Sequence, residues 1–363
     1  MRLKGALVAA AALALATPPS PTAAGQAAGA GPLRVVQFDF DGGGGTLFVT
    51  PDRRALLVDT GWEAGADRPG RTGDRRSDAR RIADRLERLG VRRIDVVLTT
   101  HYHGDHVGGL AELAGLVPIG LFADHGDNRE LPPADATAEQ RSRSAAGLYD
   151  RYLRVVRGGR RRVVRPGDRI ALGELVVDVV AADGAVLPRP LAGGGVGVGC
   201  DAPVPPRRGG EENARSVGVV ARFGRARAVL LGDATRDVER RLVCPRDLIG
   251  AVDLVIATHH GSAASNDPAL YATLRPRVVV IPNGARKGGD PSTHDAIAAS
   301  PALRAVWQSH ESERPGSRNA PADRIANLAG APDEDHPILI AVERDGALVV
   351  TNARTGASHR YRR

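Results

Sequence analysis

Five of the ten histidines in this 363-residue chain fall in two short segments. In the first segment, His101 and His103 are two residues apart, and side chains at that spacing on an extended strand point the same way. The chain then turns, so that Asp105 and His106 can face a second position nearby. Imidazole with carboxylate is a ligand set that suits zinc, and also manganese or iron. The spacing predicts a first metal site at His101 and His103 and a second site at Asp105 and His106.

The elements around these residues repeat one pattern. A buried strand at Ile94–Thr99 precedes the histidine segment, and a helix around Val107–Gly115 follows it. A longer helix is predicted at Ala138–Val156. Strands followed by helix–strand alternation occur twice, and each half has helices that can cover only one face of a sheet. This predicts an α+β protein, a four-layer αββα sandwich with two packed sheets inside and helices outside.

We predict one domain over residues 33–355, followed by a basic tail at 356–363. The Gly- and Pro-rich stretch 188–210 is too long for a plain connection and is predicted to be a loop or lid. Cys200 lies in this stretch. A disulfide with Cys244 and two free buried thiols both fit the sequence.

The first residues carry the marks of a secretory signal. Arg2 and Lys4 precede an apolar run at Ala6–Ala16, and small residues follow it. We predict a signal peptide over residues 1–24, with cleavage after Ala24. An uncleaved anchor or a disordered tail is the alternative. The mature protein is expected to be secreted or periplasmic, without stable membrane insertion, since no other stretch is apolar and long enough to span a bilayer.

Composition narrows the functional classes. Hydrophobic residues make up 42% of the chain, which excludes a mainly disordered protein. Aromatic residues make up 3%, which argues against binding of single strands by stacking bases on many rings. The net charge of +8 is compatible with a nucleic-acid partner but does not establish one.

The first histidine segment, with two glycines directly after it, resembles the HxHxDH signature of the metallo-β-lactamase superfamily. Other motifs occur in the order that this family shows. Leu56–Gly61 resembles its strand ending in an Asp that braces the metal ligands, and Leu230–Asp233 resembles its strand ending in the metal-bridging Asp. Thr258–Ser262 resembles the HHGS variant in the hydrolase domain of competence proteins of the ComEC type. The resemblance covers roughly residues 33–310 and implies the metallo-β-lactamase fold.

The resemblance also implies a role for each matching residue. Two divalent metal ions, zinc first and manganese or iron as alternatives, would share Asp233, with Asp59 bracing their ligands. His259 would bind the second metal. His260 could exchange roles with it, because adjacent residues at an extended strand end face opposite ways. Asp105 and Asp233 are then the candidate catalytic carboxylates.

One departure from the family concerns the first metal site. Many members carry a further His between the HxHxDH segment and the bridging Asp, whereas that stretch of this chain contains His125 alone. Asn213 and Ser216 instead resemble an Asn-x-x-Ser pattern of the competence-type branch. The first site is therefore expected to be weaker, or completed by Asn213 or water, with His125 as a further candidate or a structural His. His294 resembles a family His that donates a proton or contacts phosphate, and a solvent-exposed loop His is its alternative.

Taken together, the sequence predicts an exported dinuclear metallohydrolase that acts through metal-activated water on phosphodiesters or nucleic acid. A lactone, ester or β-lactam hydrolase could use the same site, because a fold does not fix a substrate. A non-catalytic binding protein associated with DNA uptake is the third hypothesis, and the complete ligand set argues against it. A small molecule or a nucleic acid is thus the expected partner, and the oligomeric state is left open. A di-iron reductase is disfavoured because position 103 is His, where Glu would be expected.

Overall fold

The computed structural model describes residues 29, 31–66, 76–203, 209–330 and 336–363, so the predicted signal peptide lies outside the described residues. The strands are β1 Leu33–Gln37, β2 Thr46–Val49, β3 Ala55–Val58, β4 Val96–Leu98, β5 Phe122–Asp124, β6 Arg161–Val163, β7 Arg169–Leu172, β8 Leu175–Ala182, β9 Ala185–Val186, β10 Gly195–Val196, β11 Gly218–Phe223, β12 Ala226–Leu230, β13 Arg246–Asp247, β14 Leu254–Ile256, β15 Val278–Ile281, β16 Ala305–His310, β17 Ile325–Asn327, β18 Ile338–Val342, β19 Leu348–Asn352 and β20 Ser358–Tyr361. The α-helices are α1 Asp78–Arg88, α2 Gly104–Val107, α3 Leu110–Leu116, α4 Ala138–Arg143, α5 Ala145–Val156, α6 Glu211–Arg215, α7 Arg236–Val243, α8 Pro268–Leu274 and α9 Pro291–Ile297. Among the described residues, no helix has the length and apolar character needed to cross a membrane.

Most of the strands form two large sheets. The first sheet has the strand order β20-β19-β18-β1-β2-β3-β4-β5-β6, and the second has β17-β16-β15-β14-β12-β11-β8-β7, with β9 paired to β8. In the first sheet β3, β4, β5 and β6 run parallel to one another. In the second sheet the parallel strands are β12, β14, β15, β16 and β17. Each sheet thus has one parallel half, whose strands end at a common edge.

The two sheets pack face to face. Their inner faces supply an apolar core that includes Leu56 and Leu98 of the first sheet and Val219 and Ile256 of the second. Helices α1, α3 and α5 cover the outer face of the first sheet, and α7, α8 and α9 cover that of the second. Each helix buries one apolar stripe and leaves the opposite side polar. This arrangement confirms the predicted four-layer αββα fold.

The predicted helix at Ala138–Val156 is two helices, α4 and α5, divided at Ser144. The backbone of Ser144 is extended, and its Oγ accepts a hydrogen bond from the Gly147 N–H. A serine side chain that caps the backbone in this way favours a helix start over a helix interior. No residue of α4 is buried, whereas α5 buries Ala145, Leu148, Tyr152 and Val156, so α5 alone packs on the core.

The segment predicted as a basic tail contains a strand. Strand β20 pairs antiparallel with β19 and extends the first sheet at its edge. Trp307 Nε1 donates a hydrogen bond to Tyr361 Oη over 3.2 Å, and the His359 ring packs edge-on against the Trp307 ring. These contacts attach the last residues to the fold, although their charged composition suggested otherwise.

The described part of the predicted lid lies against the outer helical layer. A disulfide joins Cys200 to Cys244 at the end of α7, which settles the pairing that the sequence left open. Strand β10 pairs with β13, and the Val198 N–H donates to Thr273 Oγ1 of α8. These contacts place residues 195–200 on α7 and α8, away from the common edge of the parallel strands.

Reduction of the disulfide is expected to lower the free energy of unfolding by about 2–4 kcal/mol, because the bond closes a long loop in the unfolded chain. The two cysteines are 44 residues apart in sequence. Urea unfolding with and without a thiol reductant measures the effect. A Cys200→Ser/Cys244→Ser double variant should be as unstable as the reduced chain and insensitive to reductant. A reductant-insensitive wild type would contradict the prediction.

Candidate metal centre

The predicted site residues follow the carboxyl ends of parallel strands. Asp59 follows β3, the first histidine segment follows β4, Asp233 comes three residues after the end of β12, and His259 and His260 follow β14. The two sheets place these ends at the same edge of the sandwich. Residues that are far apart in sequence therefore meet in one cluster.

The second site is the tighter group. Asp105, His106, Asp233 and His260 are all buried, and each offers one ligand atom within 4.8 Å of the other three. His106 Nε2 lies 3.2 Å from Asp233 Oδ1 and 3.1 Å from His260 Nε2. His260 Nε2 lies 3.1 Å from Asp105 Oδ2. Two nitrogens and two carboxylate oxygens therefore converge on one point.

The far side of the His106 ring fixes which nitrogen faces that point. Its Nδ1 donates to Asp59 Oδ2 over 2.8 Å, so Nε2 is the nitrogen left to bind a cation. Asp59 also accepts from the Thr100 N–H at 2.7 Å and from Thr100 Oγ1 at 2.8 Å. Asp59 thus contacts His106 and the residue that precedes His101.

The first histidine pair is held in the same way. His101 Nε2 and His103 Nδ1 lie 3.0 Å apart. Thr100 Oγ1 donates its own proton to Asp59, so it accepts from His101 Nδ1 at 3.0 Å. Glu130 Oε1 accepts from His103 Nε2 at 3.2 Å. These contacts occupy the far nitrogen of each ring and leave His101 Nε2 and His103 Nδ1 facing each other.

The two adjacent histidines of the second segment both face Asp233. His259 and His260 have left-handed backbones, with φ values of 53° and 56°. An extended strand end, which the sequence suggested here, would have pointed one ring away. In the structure, His259 Nε2 lies 3.3 Å from Asp233 Oδ2, and His260 Nε2 lies 3.4 Å from Asp233 Oδ1.

Burial and neighbouring charges set the protonation of the cluster. Burial raises the pKa of Asp105, but Lys287 and a neighbouring imidazole outweigh it and hold this pKa well below its ordinary value. The pKa of Asp233 is also held well below its ordinary value, because the surrounding histidines outweigh burial. Burial lowers the pKa values of His101 and His259. The carboxylates are therefore ionised and these imidazoles neutral, the states in which they bind metals.

These residues fit a pair of divalent cations. His101 Nε2 and His103 Nδ1 face each other at 3.0 Å, a geometry in which both nitrogens could bind one cation. Asp233 Oδ1 is buried and accepts no well-formed hydrogen bond from any described residue. Burial lowers the pKa of His106, but Asp233, Asp105 and Asp59 outweigh it and raise this pKa. The cluster therefore favours positive charge at its centre.

The glycine run before β2 packs directly on the site. The Gly44 N–H donates to the Asp105 carbonyl at 2.8 Å. A Cβ at Gly44 would lie 2.5 Å from His106 Nδ1 and 3.0 Å from Asp59 Oδ2. The run therefore allows close backbone approach to the His106 ring.

Gly44→Ala is expected to weaken Zn²⁺ binding at the second site about 10-fold, because the new methyl group displaces His106 from Asp59. A Zn²⁺ titration of the metal-free variant measures the loss. Gly115→Ala is the matched control, since a Cβ there meets no atom within 4 Å. Equal affinities for the two variants would show that the site tolerates the displacement.

Sequence reasoning missed three residues beside the site. Lys287 Nζ forms an ion pair with Asp105 Oδ2 and lies 4.7 Å from the centre of the Trp62 ring. Glu130 orients His103, and its Oε2 accepts from the Glu212 N–H. The spacing of residues in the sequence did not indicate Glu130 or Glu212. Lys287 could have been singled out by its rarity, since the chain has only two lysines among its 50 basic residues.

Four further predicted residues lie at different distances from the cluster. Ser216 Oγ accepts from the Asp233 N–H at 3.2 Å, so it supports the bridging residue. Buried His125 contacts Glu212 Oε2 at 3.1 Å and packs on the Tyr102 ring. The Glu212 N–H in turn donates to Glu130, the residue that orients His103. No hydrogen bond or ion pair between described residues joins Asn213 or His294 to the ligands. His294 lies on α9, where Arg318 and burial lower its pKa.

Comparison with known proteins shows similarity to one protein family. A model described as the metallo-β-lactamase superfamily matches residues 41–201. Hydroxyacylglutathione hydrolase of Rhodopseudomonas palustris is 42% identical over 55 residues, which are 15% of this chain and 21% of that protein. The chain thus matches about a fifth of the length of this curated relative.

Solved structures are similar at low identity. The metallo-β-lactamase fold protein YhfI of Bacillus subtilis is 14% identical, with 76% of this chain and 96% of that chain covered and a TM-score of 0.42. CmlA, a diiron β-hydroxylase of Streptomyces venezuelae, is 16% identical, with 73% and 49% covered and a TM-score of 0.38. Residues 41–201, which include the first histidine segment, are thus similar to the metallo-β-lactamase superfamily, and the chain has the αββα layers of the metallo-β-lactamase fold.

Proposed function

We propose that the chain is an exported metal-dependent hydrolase that cleaves phosphodiesters, nucleic acid among them. The observation that carries the proposal is the convergence of Asp105, His106, Asp233 and His260, with the cation of Lys287 beside them. The ligand set supports hydrolysis, and the lysine supports an anionic substrate. The resemblance of the HHGS segment to competence-type hydrolase domains favours nucleic acid within that class.

Each residue has a defined part in this proposal. A bound cation pair supplies an activated water and stabilises negative charge that develops on the substrate. Lys287 is 38% exposed in its side chain, so its ammonium, which lies over the Trp62 ring and pairs with Asp105, can also pair with a substrate phosphate. The ionised carboxylates of Asp105 and Asp233 are proposed to accept the proton that the water loses.

A thioester or carboxylic ester is the second candidate substrate. The similarity to a hydroxyacylglutathione hydrolase favours it, since that protein is named for a thioester substrate. Lactones and β-lactams belong to the same chemical class of acyl substrates. A non-catalytic binding protein associated with DNA uptake is the least favoured hypothesis. An inactive protein is expected to lack some of the metal ligands, whereas this chain carries the complete predicted set.

Export rests on two observations. Arg2 and Lys4 precede an apolar run at the N-terminus, as in secretory signals. The Cys200–Cys244 disulfide is a bond that persists in oxidising compartments. N-terminal sequencing of the exported protein should begin at Gly25. An intact N-terminus in the cell fraction would contradict export.

The purified chain should be assayed with Zn²⁺ or Mn²⁺ on bis(p-nitrophenyl) phosphate and, in parallel, on a hydroxyacylglutathione thioester. The proposal expects diester cleavage that a chelator and Asp233→Ala both abolish. Thioester cleavage alone would establish the second candidate. Two bound metals without turnover of either substrate would remove the hydrolase proposal.

Lys287→Ala is expected to raise the KM for the anionic diester about 10-fold, because the substrate loses one charge-assisted contact. The kcat should change less. Arg286→Ala is the matched control, since Arg286 is exposed and paired with Glu313. Steady-state kinetics of the two variants measure the difference, and an unchanged KM for Lys287→Ala would exclude substrate binding by this lysine.

A further inference from the structure

We propose that His259 is a ligand of the first metal site, in the place of the histidine that many family members supply between the HxHxDH segment and the bridging aspartate. The proposal rests on the proposed function in one respect, that the chain binds two divalent cations. The family resemblance implied that His259 binds the second metal, and this proposal moves His259 to the first. It makes the first site a group of three histidines and the bridging carboxylate.

The two oxygens of Asp233 divide the ligands between the sites. Oδ1 faces the second site, with His106 Nε2 at 3.2 Å and His260 Nε2 at 3.4 Å. Oδ2 faces His259 Nε2 at 3.3 Å and His101 Nε2 at 3.9 Å. His259 therefore shares an oxygen with a first-site ligand, while His260 shares the other oxygen with a second-site ligand.

A hydrogen bond on the far side of the ring fixes the proton of His259. Ser265 Oγ donates to the Ala234 carbonyl at 2.7 Å, so its oxygen accepts from His259 Nδ1 at 3.3 Å. Nδ1 then carries the proton, and Nε2 presents a lone pair to Asp233 Oδ2. A lone pair that faces a carboxylate oxygen is repelled unless a cation lies between them, and this is the arrangement of a metal ligand.

The backbone explains why two adjacent rings reach one carboxylate. His259 (φ 53°, ψ 46°) and His260 (φ 56°, ψ 20°) are both left-handed, a conformation that non-glycine residues rarely adopt. The turn is held by the His259 N–H, which donates to Gly232, and by Asn266 Nδ2, which donates to Thr258 and Ser262 carbonyls. Strain of this kind persists where surrounding contacts enforce it, and it clusters at ligand clamps.

The other candidates for the missing ligand make no hydrogen bond to the first histidine pair within the described residues. His125 Nε2 lies 3.1 Å from Glu212 Oε2, and the His125 ring packs against Tyr102. Asn213 has no hydrogen bond to His101 or His103 within the described residues. His259, by contrast, lies with its Nε2 3.3 Å from Asp233 Oδ2, the oxygen that also faces His101.

The test compares His259→Gly with His260→Gly by Zn²⁺ titration calorimetry and measured zinc content. Glycine removes the ring and adopts the left-handed backbone without strain, so both variants should fold, which circular dichroism checks. The proposal expects each variant to keep one tight Zn²⁺ and to lose the other by more than about 100-fold in affinity. Adding His103→Ala should remove nothing further from His259→Gly, but should remove the remaining Zn²⁺ from His260→Gly.

Each outcome decides the proposal. Two tight Zn²⁺ ions in His259→Gly would overturn it, while leaving the proposed hydrolase intact. It would also be overturned if His259→Gly kept a Zn²⁺ that His103→Ala then removed, because His259 would belong to the second site. A wild-type chain that binds fewer than two Zn²⁺ ions would overturn both proposals. Two Zn²⁺ ions in the expected pattern without hydrolysis would overturn the proposed function alone.

Discussion

Asp233→Asn is expected to lower metal-dependent hydrolysis by more than about 1,000-fold and to leave at most one tightly bound Zn²⁺. Both oxygens of Asp233 face ligand nitrogens, at 3.2 Å from His106 and 3.3 Å from His259. Asparagine keeps one neutral oxygen and turns an NH₂ group toward the other site. One cation would lose its negative ligand and the other would meet a donor.

Activity on the substrate that the wild type cleaves, with measured zinc content, tests this expectation. Asp150→Asn is the control, because Asp150 is an exposed carboxylate on α5. The control separates loss of the bridging ligand from loss of one negative charge. Wild-type turnover by Asp233→Asn with two bound Zn²⁺ ions would show that this carboxylate does not bridge.

The layers of the fold and the grouping of the ligands follow from patterns that are local in the sequence. Strand–helix alternation predicted the αββα layers, and the motif spacing placed every ligand after a strand. Parallel strands that end at one edge then bring those residues together without further information. His101 and Asp233 follow strands of different sheets, and it was the resemblance of their motifs to the metallo-β-lactamase superfamily that grouped them from the sequence.

What the sequence could not supply depends on contacts between distant segments. Glu130 and Lys287 belong to loops whose paths no local pattern fixes, and each contacts a ligand across the fold. The direction of His259 depends on a left-handed turn held by Asn266, whereas the alternation assumed for it holds only on an extended strand. Proton positions also follow from partners on the far side of each ring, which spacing does not show.

Asp59→Asn is expected to lower hydrolysis, and the Zn²⁺ affinity of the second site, by more than about 100-fold without unfolding the chain. Asp59 Oδ2 accepts the proton of His106 Nδ1, and an NH₂ group in its place would donate to that nitrogen. The ring proton would then move to Nε2, the atom that faces Asp105 and Asp233. A protonated Nε2 cannot bind a metal.

Asp59→Ala separates this tautomer effect from loss of support. Asparagine tolerates the left-handed backbone at position 59 (φ 61°) and can still accept from the Thr100 N–H, so its fold should stay stable. Alanine leaves that N–H unpaired, at a cost of about 1–3 kcal/mol in unfolding free energy, but does not impose a tautomer on His106. The alanine variant should therefore be the less stable of the two and bind Zn²⁺ more tightly. Tighter Zn²⁺ binding by Asp59→Asn than by Asp59→Ala would show that Asp59 does not fix the His106 tautomer. Greater thermal stability of the alanine variant would show that Asp59 does not support the Thr100 N–H.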